Sequence, residues 1–267
     1  MKILVTGATG NIGRLVVDEL LALGATDVRA LTANPAKAAL PEGVEVVTGY
    51  LGKLETLPAA FEGVDRMYLA PLLATVDEAT RLAAAAGVQH IVDLAGGEGT
   101  DWQPIERAVE ASGVAWTHLE AGEFMPNVAI WAQQIATTDE VRDGYPTSAN
   151  ALIAPVDIAA VAARILLGDD HEGRTYELTG PQTQTRAEKV QEIARVLGRK
   201  LTYVEVSHEQ AVEQLRAIMG DFAAWYVAGE AALAAHPQVA TRTVEEIIGR
   251  RGTTLAQWLT ANIDLFK

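Results

Sequence analysis

The sequence predicts an α/β fold built on a doubly wound parallel sheet, with a smaller C-terminal lobe. Two observations carry this. Short β-branched runs alternate with alanine- and leucine-rich segments of helical spacing through the first half of the chain, the pattern of parallel βαβ units with right-handed crossovers. After about Gly122 the alternation gives way to loops and helices.

Taken in order, the strand-like runs are Ile3–Thr6, Val28–Thr32, Val44–Thr48, Arg66–Ala70, Ile91–Leu94 and Ala115–Leu119, and Leu15–Leu23 and Ala79–Ala86 read as helices between them. "AAAGVQH" and "EASGVAW" share one arrangement, a helix stopped by glycine and followed by a strand. "EFMPNVAIWAQQIATTDEVRDGYPTSAN" reads as loop and short helices, and "PVDIAAVAARILLG" as a helix with Asp157 at its N-cap. "TYELTG" is a strand, "TRAEKVQEIARVLGRKLTYVEVS" a helix ended by Gly198 and then a strand, and His208 to Lys267 reads mostly helical. The expected division is a nucleotide-binding core over 1–122 and 155–180, with an interleaved lobe over 123–154 and 181–267.

Composition narrows the function classes. With 21 Lys and Arg against 35 Asp and Glu the net charge is −14, a surface that repels phosphate backbones and anionic lipid. Neither nucleic acid nor membrane is an expected partner. The chain has no cysteine, which excludes disulfides, thiolate metal sites and cysteine nucleophiles. Its five histidines lack ligand-like spacing, so no metal is expected. "MKILVTGATG" does not read as a signal peptide, "RLAAAAGV" is too short to span a bilayer, and the expected location is cytoplasmic.

"MKILVTGATGNIGRLVVDEL" joins a strand to a helix through Gly7, Gly10 and Gly13. That context makes the glycines a dinucleotide fingerprint: Gly7 for the tight turn, Gly10 for close approach of the backbone to a diphosphate, Gly13 for helix–sheet packing. The helix N-terminus then faces the anion, and Thr9, Asn11 and Ile12 are placed to donate to it. The doubly wound core is thus predicted to bind a dinucleotide. An NAD-binding chain commonly carries an acid at the end of the second strand. Here Thr32, Ala33 and Asn34 stand there, Asp27 lies at the wrong end, and Lys37 follows one turn later. Absence of a carboxylate and presence of a cation favour NADP(H) over NAD. Arg29, within the strand, is a weaker partner for a 2′-phosphate.

GATGNIG, "GVEVVTGYLGKLETLPAAFEGVDRMYLA", "SGVAWTHLEAGEFMPN", "APVDIAAVAARILL", "YELTGPQTQT" and "TLAQWL" together resemble the NmrA-like atypical short-chain dehydrogenases/reductases, and in particular ketoreductases of actinomycete angucyclinone (polyketide) pathways. The resemblance implies an extended Rossmann fold, NAD(P) binding and reductase activity, in a family that also includes cofactor sensors. Some family positions are changed: Leu94-Ala95 replaces a strand-then-serine pair, Glu120-Ala121-Gly122 replaces an Arg-Pro-Gly, and Tyr50 stands where an acid is common. Tyr50 is placed either to stack near adenine or to cover the sheet edge. Ala70, Pro71 and Leu72, after the fourth strand, and Ala95 are expected beside the cofactor, with Gly96 and Gly97 on the substrate side.

Typical members of the superfamily reduce a carbonyl with Ser, Tyr and Lys, the last two as Tyr-x-x-x-Lys. Four residues after the six tyrosines stand Leu54, Leu72, Ala149, Gly180, Ser207 and Glu230, and "DWQPIERAVEASG" holds neither Tyr nor Lys. Hydride transfer requires orientation rather than a side chain, so the proton is expected from substrate or water. His118 and Glu98 are the weak candidates for an enzyme acid. Glu120 and Glu123 bracket the sixth strand's end, and Asp93 is expected to bond backbone within the sheet. Phe124, Met125, Trp131, Phe222, Trp225, Tyr226 and Trp258 concentrate aromatic and soft apolar surface outside the core, an expected substrate wall for a polycyclic ketone. Two functions follow: NADPH-dependent reduction of a bulky, aromatic, polyketide-type ketone, or NADP(H) sensing without catalysis.

Overall fold

The computed structural model describes residues 1–70, 72–97 and 99–267. The chain divides into two units, 1–121, 155–178 and 243–250 in the first, 122–154, 179–242 and 251–267 in the second. Along the chain run β1 (Ile3–Val5), α1 (Gly13–Ala22), β2 (Val28–Thr32), β3 (Glu45–Thr48), α2 (Leu57–Phe61), β4 (Arg66–Leu69), α3 (Val76–Ala85), β5 (His90–Ala95), α4 (Gln103–Ala111) and β6 (Ala115–Ala121). In the second unit follow α5 (Ala132–Thr137), β7 (Glu140–Asp143) and β8 (Ala149–Asn150). The chain returns to the first unit for α6 (Pro155–Leu167) and β9 (Arg174–Leu178). It then makes β10 (Gln184–Thr185), α7 (Arg186–Leu197), β11 (Thr202–Glu205), α8 (His208–Met219) and α9 (Phe222–Ala235) in the second. Of the last two helices, α10 (Thr243–Ile248) belongs to the first unit and α11 (Leu255–Ala261) to the second.

In the first unit seven strands lie in the order β3-β2-β1-β4-β5-β6-β9, every pair parallel. All carboxyl ends therefore share one edge, where ligands bind in open α/β sheets. The strands between the sheet's edges are buried on both faces and read as apolar runs: β1 is fully buried, as are Val28, Ala30 and Leu31 of β2. α1 buries Gly13, Val16, Val17 and Leu20, one helical face, and packs along α6. α6 is alanine-rich and buried on nearly every side, with Ala159, Ala160, Ala162 and Ala163 letting its neighbours approach.

Two sequence expectations are corrected here. Asp157 is not an N-cap; it lies inside the first turn of α6, fully buried, and accepts from Arg250 at 2.8 Å. That ion pair, with buried Val244, fastens α10 to α6 and β9. Residues 243–250 therefore pack in the first unit and not in the lobe assigned to 181–267. Among the described residues no helix is long and apolar enough to cross a membrane.

The second unit pairs β7 with β11 in parallel and β8 with β10 antiparallel. Capping boxes start α7 (Thr185, Glu188), α8 (Ser207, Gln210) and α11 (Thr254, Gln257), and Gly198, at φ 64°, ends α7 in the left-handed region. At its centre Arg186 is 2% exposed. Its guanidinium binds Asp143 and, at 2.6 Å, Glu230, and lies 5.0 Å from the Trp131 ring centroid and 5.6 Å from that of Tyr226. The Trp131 indole N–H donates to Asp143 at 2.6 Å. Removing the cation strands two buried carboxylates. Arg186→Met is expected to lower the unfolding free energy by about 3–5 kcal/mol in urea titration, and a variant as stable as the parent refutes this account of the lobe's core.

Candidate active site

The glycine loop is held by sterics. A Cβ on Gly13 would stand 2.3 Å from the Gly7 carbonyl oxygen, and one on Gly10 would stand 3.2 Å from it. Gly7 takes φ 58°, and its own Cβ would stand 3.0 Å from that of Ala70. The Gly10 N–H donates to Gly7 O at 2.8 Å, closing the turn. No side chain caps α1; the Arg14 N–H bonds Gly10 O at 3.1 Å, and the positive end of the helix faces the cradle, where it favours an anion. Thr9, Gly10 and Asn11 are exposed around this cradle. Ile12 is buried and offers only backbone. Thr6 ties β1 to the next loop, its hydroxyl donating to Tyr68 O and accepting from Ala70 N.

At the end of β2, Thr32 is buried; its hydroxyl meets Thr9 Oγ1 at 3.3 Å and accepts from Asn34 N. It shapes the turn, while Ala33, Asn34 and Lys37 are exposed. Sequence reasoning missed Arg14, directly after Gly13. Its guanidinium donates to the carbonyls of Ala38 and Ala39, which brings a second cation to the turn that carries Lys37. The signal was its place one residue past the last fingerprint glycine. Arg29 is ruled out as a cofactor ligand: it is buried and saturated by Glu45 and the carbonyls of Ala60 and Glu62. Hydrogen bonds from Arg29 and Lys2 hold the Glu45 carboxyl down at about 2. Tyr50 is 48% exposed, its ring packed over Gly52.

This cradle is where the relatives of the chain become informative. The NmrA-like family model matches residues 1–93. A (4-alkanoyl-5-oxo-2,5-dihydrofuran-3-yl)methyl phosphate reductase of Streptomyces griseus is 34% identical over 99% of both chains. The chain belongs to the NmrA-like family. An NAD(P)H azoreductase of Xenophilus azovorans is 32% identical over 99% of both chains. The crystal structure of the NADPH-dependent quinone oxidoreductase QOR2 of Escherichia coli superposes with a TM-score of 0.87 at 25% identity, covering 98% of this chain and 99% of that one. QOR2 has also been solved with NADPH. This NmrA-like chain is accordingly an oxidoreductase-family protein with NAD(P)H-dependent reductase homologues, and its cofactor is NADP(H). The residues present fit that group: an uncapped helix start and glycines that admit no Cβ for the diphosphate, and Lys37 with Arg14 in place of a carboxylate.

At the same edge, Ala70 and Leu72 follow β4, Leu72 half-buried against the core that Ala95 also covers. Pro71 and Glu98 lie outside the described residues. A Cβ on Gly96 would meet Thr100 Oγ1 at 2.9 Å and Trp102 Cβ at 3.1 Å; one on Gly97 would meet the Glu120 carboxyl at 2.8 Å. Beneath this loop is a group of acids that sequence reasoning did not assemble. Asp93 does not bond backbone alone: fully buried, its Oδ2 meets His118 Nδ1 at 2.6 Å. His118, 1% exposed, stacks on Trp116 at 4.1 Å, and its Nε2 stands 3.6 Å from Glu110 Oε1. Burial opposes charge on His118, but the Asp93 bond and the surrounding carboxylates outweigh it and raise its pKa. His118 is therefore locked inside the sheet and is not itself positioned as a donor to substrate.

Glu106, on α4, is 9% exposed with Oε1 unpartnered. Burial, aided by Glu120, Asp93 and Glu110, pushes it up to about 7. Its sequence signal was faint: Glu106 and Glu110 lie four apart at the rim of the apolar stripe formed by Ile105 and Val109. The tyrosines offer no substitute for a Tyr–Lys pair. Tyr68 is fully buried with its hydroxyl unpartnered, and burial raises it. Tyr145 and Tyr176 bond His208 and His171, and Tyr203 donates to Gly144 O. Among the described residues no group of His, Asp and Glu is arranged to hold a metal.

In the second unit the expected substrate wall is divided: Met125 and Trp131 are interior, Phe124, Tyr226 and Trp258 half-buried, Phe222 and Trp225 exposed. Met125 and Trp131 are 1% and 2% exposed, Trp131 held by Asp143 and Arg186. Tyr226 donates to Glu123 Oε1 at 2.8 Å. Trp131 and Tyr226 do border a pocket of about 170 Å3, partly open to solvent, but Glu123, Asn127, Arg186 and Lys189 border it too. It is small, below the usual volume of a ligand site. Phe124 follows the strand end and bridges to Ile153. Phe222 stays 67% exposed, edge-to-face with Trp225 at 6.1 Å.

Two outcomes follow. Lys37→Ala and Arg14→Ala are each expected to weaken NADPH binding about tenfold while leaving NADH binding unchanged, read by fluorescence titration; equal losses for both cofactors refute the 2′-phosphate assignment. Glu106 binds its proton more tightly folded (about 7) than unfolded (4.5), so its contribution to stability is complete below 4.5 and is lost as pH rises through 7. The wild-type Tm should fall across that window more than that of Glu106→Gln, in thermal scans at stepped pH.

Proposed function

We propose that this chain reduces a ketone on a bulky, conjugated, polyketide-type small molecule, with NADPH as reductant. The observation that carries the reading is the glycine cradle with Arg14 and Lys37 beside it, on a parallel sheet whose carboxyl edge also presents Gly96 and Gly97. NADPH, when bound, supplies the hydride. The chain's part is to hold the diphosphate at α1, receive the ribose phosphate at Lys37 and present to an acceptor the Gly96–Gly97 loop, which packs closely on Thr100, Trp102 and the Glu120 carboxyl. Support for the acceptor class comes from the relatives' names: an alkanoyl furanone, an azo compound and a quinone share an electron-poor π system that accepts hydride. The actinomycete source of the furanone reductase agrees with a polyketide-type substrate, and an angucyclinone ketone is the specific member of that class the sequence resembles.

A second reading, an NADP(H)-sensing binding protein, is favoured by one observation, the absence of Tyr-x-x-x-Lys. NADPH absorbance followed with a panel of polycyclic ketones and quinones separates the two. Oxidation with a ketone acceptor at a saturable rate is the expected result. Cofactor binding without oxidation by any acceptor overturns the reductase reading in favour of the sensor.

A further inference from the structure

Resting on that reading, we propose that Glu120 is the general acid of the reaction, delivering to the substrate oxygen a proton it shares with Glu106. The sequence left the proton to substrate or water. The structure offers a protein source, and its parts lie in the first unit at the sheet's carboxyl edge.

Glu120 is the penultimate residue of β6, half-exposed. Its carboxyl lies flush on the Gly97 backbone, so close that any Cβ there would stand 2.8 Å from its carbon and both oxygens. Behind it stands the Glu106 carboxyl, near enough that each acts on the other's charge. Two carboxyls so placed repel when both are ionised, and one proton held between them relieves that repulsion. Glu106 is nine-tenths buried, and its Oε1 has no hydrogen-bond partner. The charged and titratable groups facing the pair are Asp93 from β5, His118 from β6, Glu110 from α4 and Glu177 from β9, which pairs in register with Glu120. Three of these four are acids, so the local field favours retaining a proton on the pair. Burial first, then Glu177 and Asp93, raise Glu120 above the ordinary carboxylate range.

The step balances. Hydride forms the new C–H bond, the carbonyl π pair moves to oxygen, and the Glu120 O–H bond breaks to protonate it. NADPH is oxidised, the ketone becomes an alcohol, and the pair is left fully ionised until solvent returns a proton at the half-exposed Glu120. Glu106 and the Asp93–His118 pair act through Glu120 and are positioning residues.

The test uses the full-length protein. In the apo form, carbon-13 carboxyl NMR with labelled glutamate should show Glu120 and Glu106 titrating together, above ordinary carboxylate values. With a ketone that the wild type reduces, kcat should fall about tenfold per pH unit above the pair's apparent pKa. Glu120→Gln should lower kcat about 100-fold and abolish that limb, with NADPH affinity unchanged. Glu106→Gln keeps the acid but removes the shared proton, so the limb should move acidward by about one pH unit with low-pH kcat retained. Independent titration at ordinary values, or a Glu120→Gln enzyme with wild-type kcat and pH profile, overturns the proposal. If the wild type itself oxidises NADPH with no acceptor, the reductase reading has failed and the donor role falls with it. Loss confined to the variants, or its absence there, bears on Glu120 alone.

Discussion

The start of α1 runs so close to the loop before it that residue 13 can carry no side chain. With a Cβ 2.3 Å from the Gly7 oxygen, any substitution must move either the turn or the helix. Moving the turn breaks the Gly10–Gly7 hydrogen bond. Moving the helix lifts Val16, Val17 and Leu20 from the sheet and α1 from α6. One clearance thus links the anion cradle to the packing of the whole first unit, which explains why a cofactor site can be held rigidly by backbone alone.

The opposite economy governs the acids under the Gly96–Gly97 loop. Asp93, His118 and Glu120 on the strands and Glu106 on α4 are polar groups buried or half-buried against a core that is largely aliphatic. Asp93 Oδ1, His118 Nε2 and Glu106 Oε1 are left without hydrogen-bond partners, each a cost to stability. Such groups keep their protons or share them, and perturbed titration concentrated at a sheet's carboxyl edge is a mark of a working site. The second unit shows buried charge used differently. Arg186 has carboxylates on two sides and aromatic rings over its plane, an arrangement that fixes one packing of α7 against β7 and α9 rather than chemistry.

Residue type and spacing by themselves determined the sheet, its parallel sense, the glycine cradle and the preference for a phosphorylated ribose. These are local matters: periodicity of two or 3.6, a turn needing positive φ at Gly7, and the absence of an acid in "TANPAK" are all written within a few consecutive residues. Only the tertiary structure decided the rest. It paired Asp157 with Arg250, 93 positions away, and so moved α10 into the first unit. It buried Trp131 and Met125, because an aromatic's environment depends on which charged residue reaches its face. It brought Glu106 from a helix to Glu120 on a strand, since side chains of separate elements meet only when a sheet register and a helix rotation coincide. No sequence window contains that coincidence.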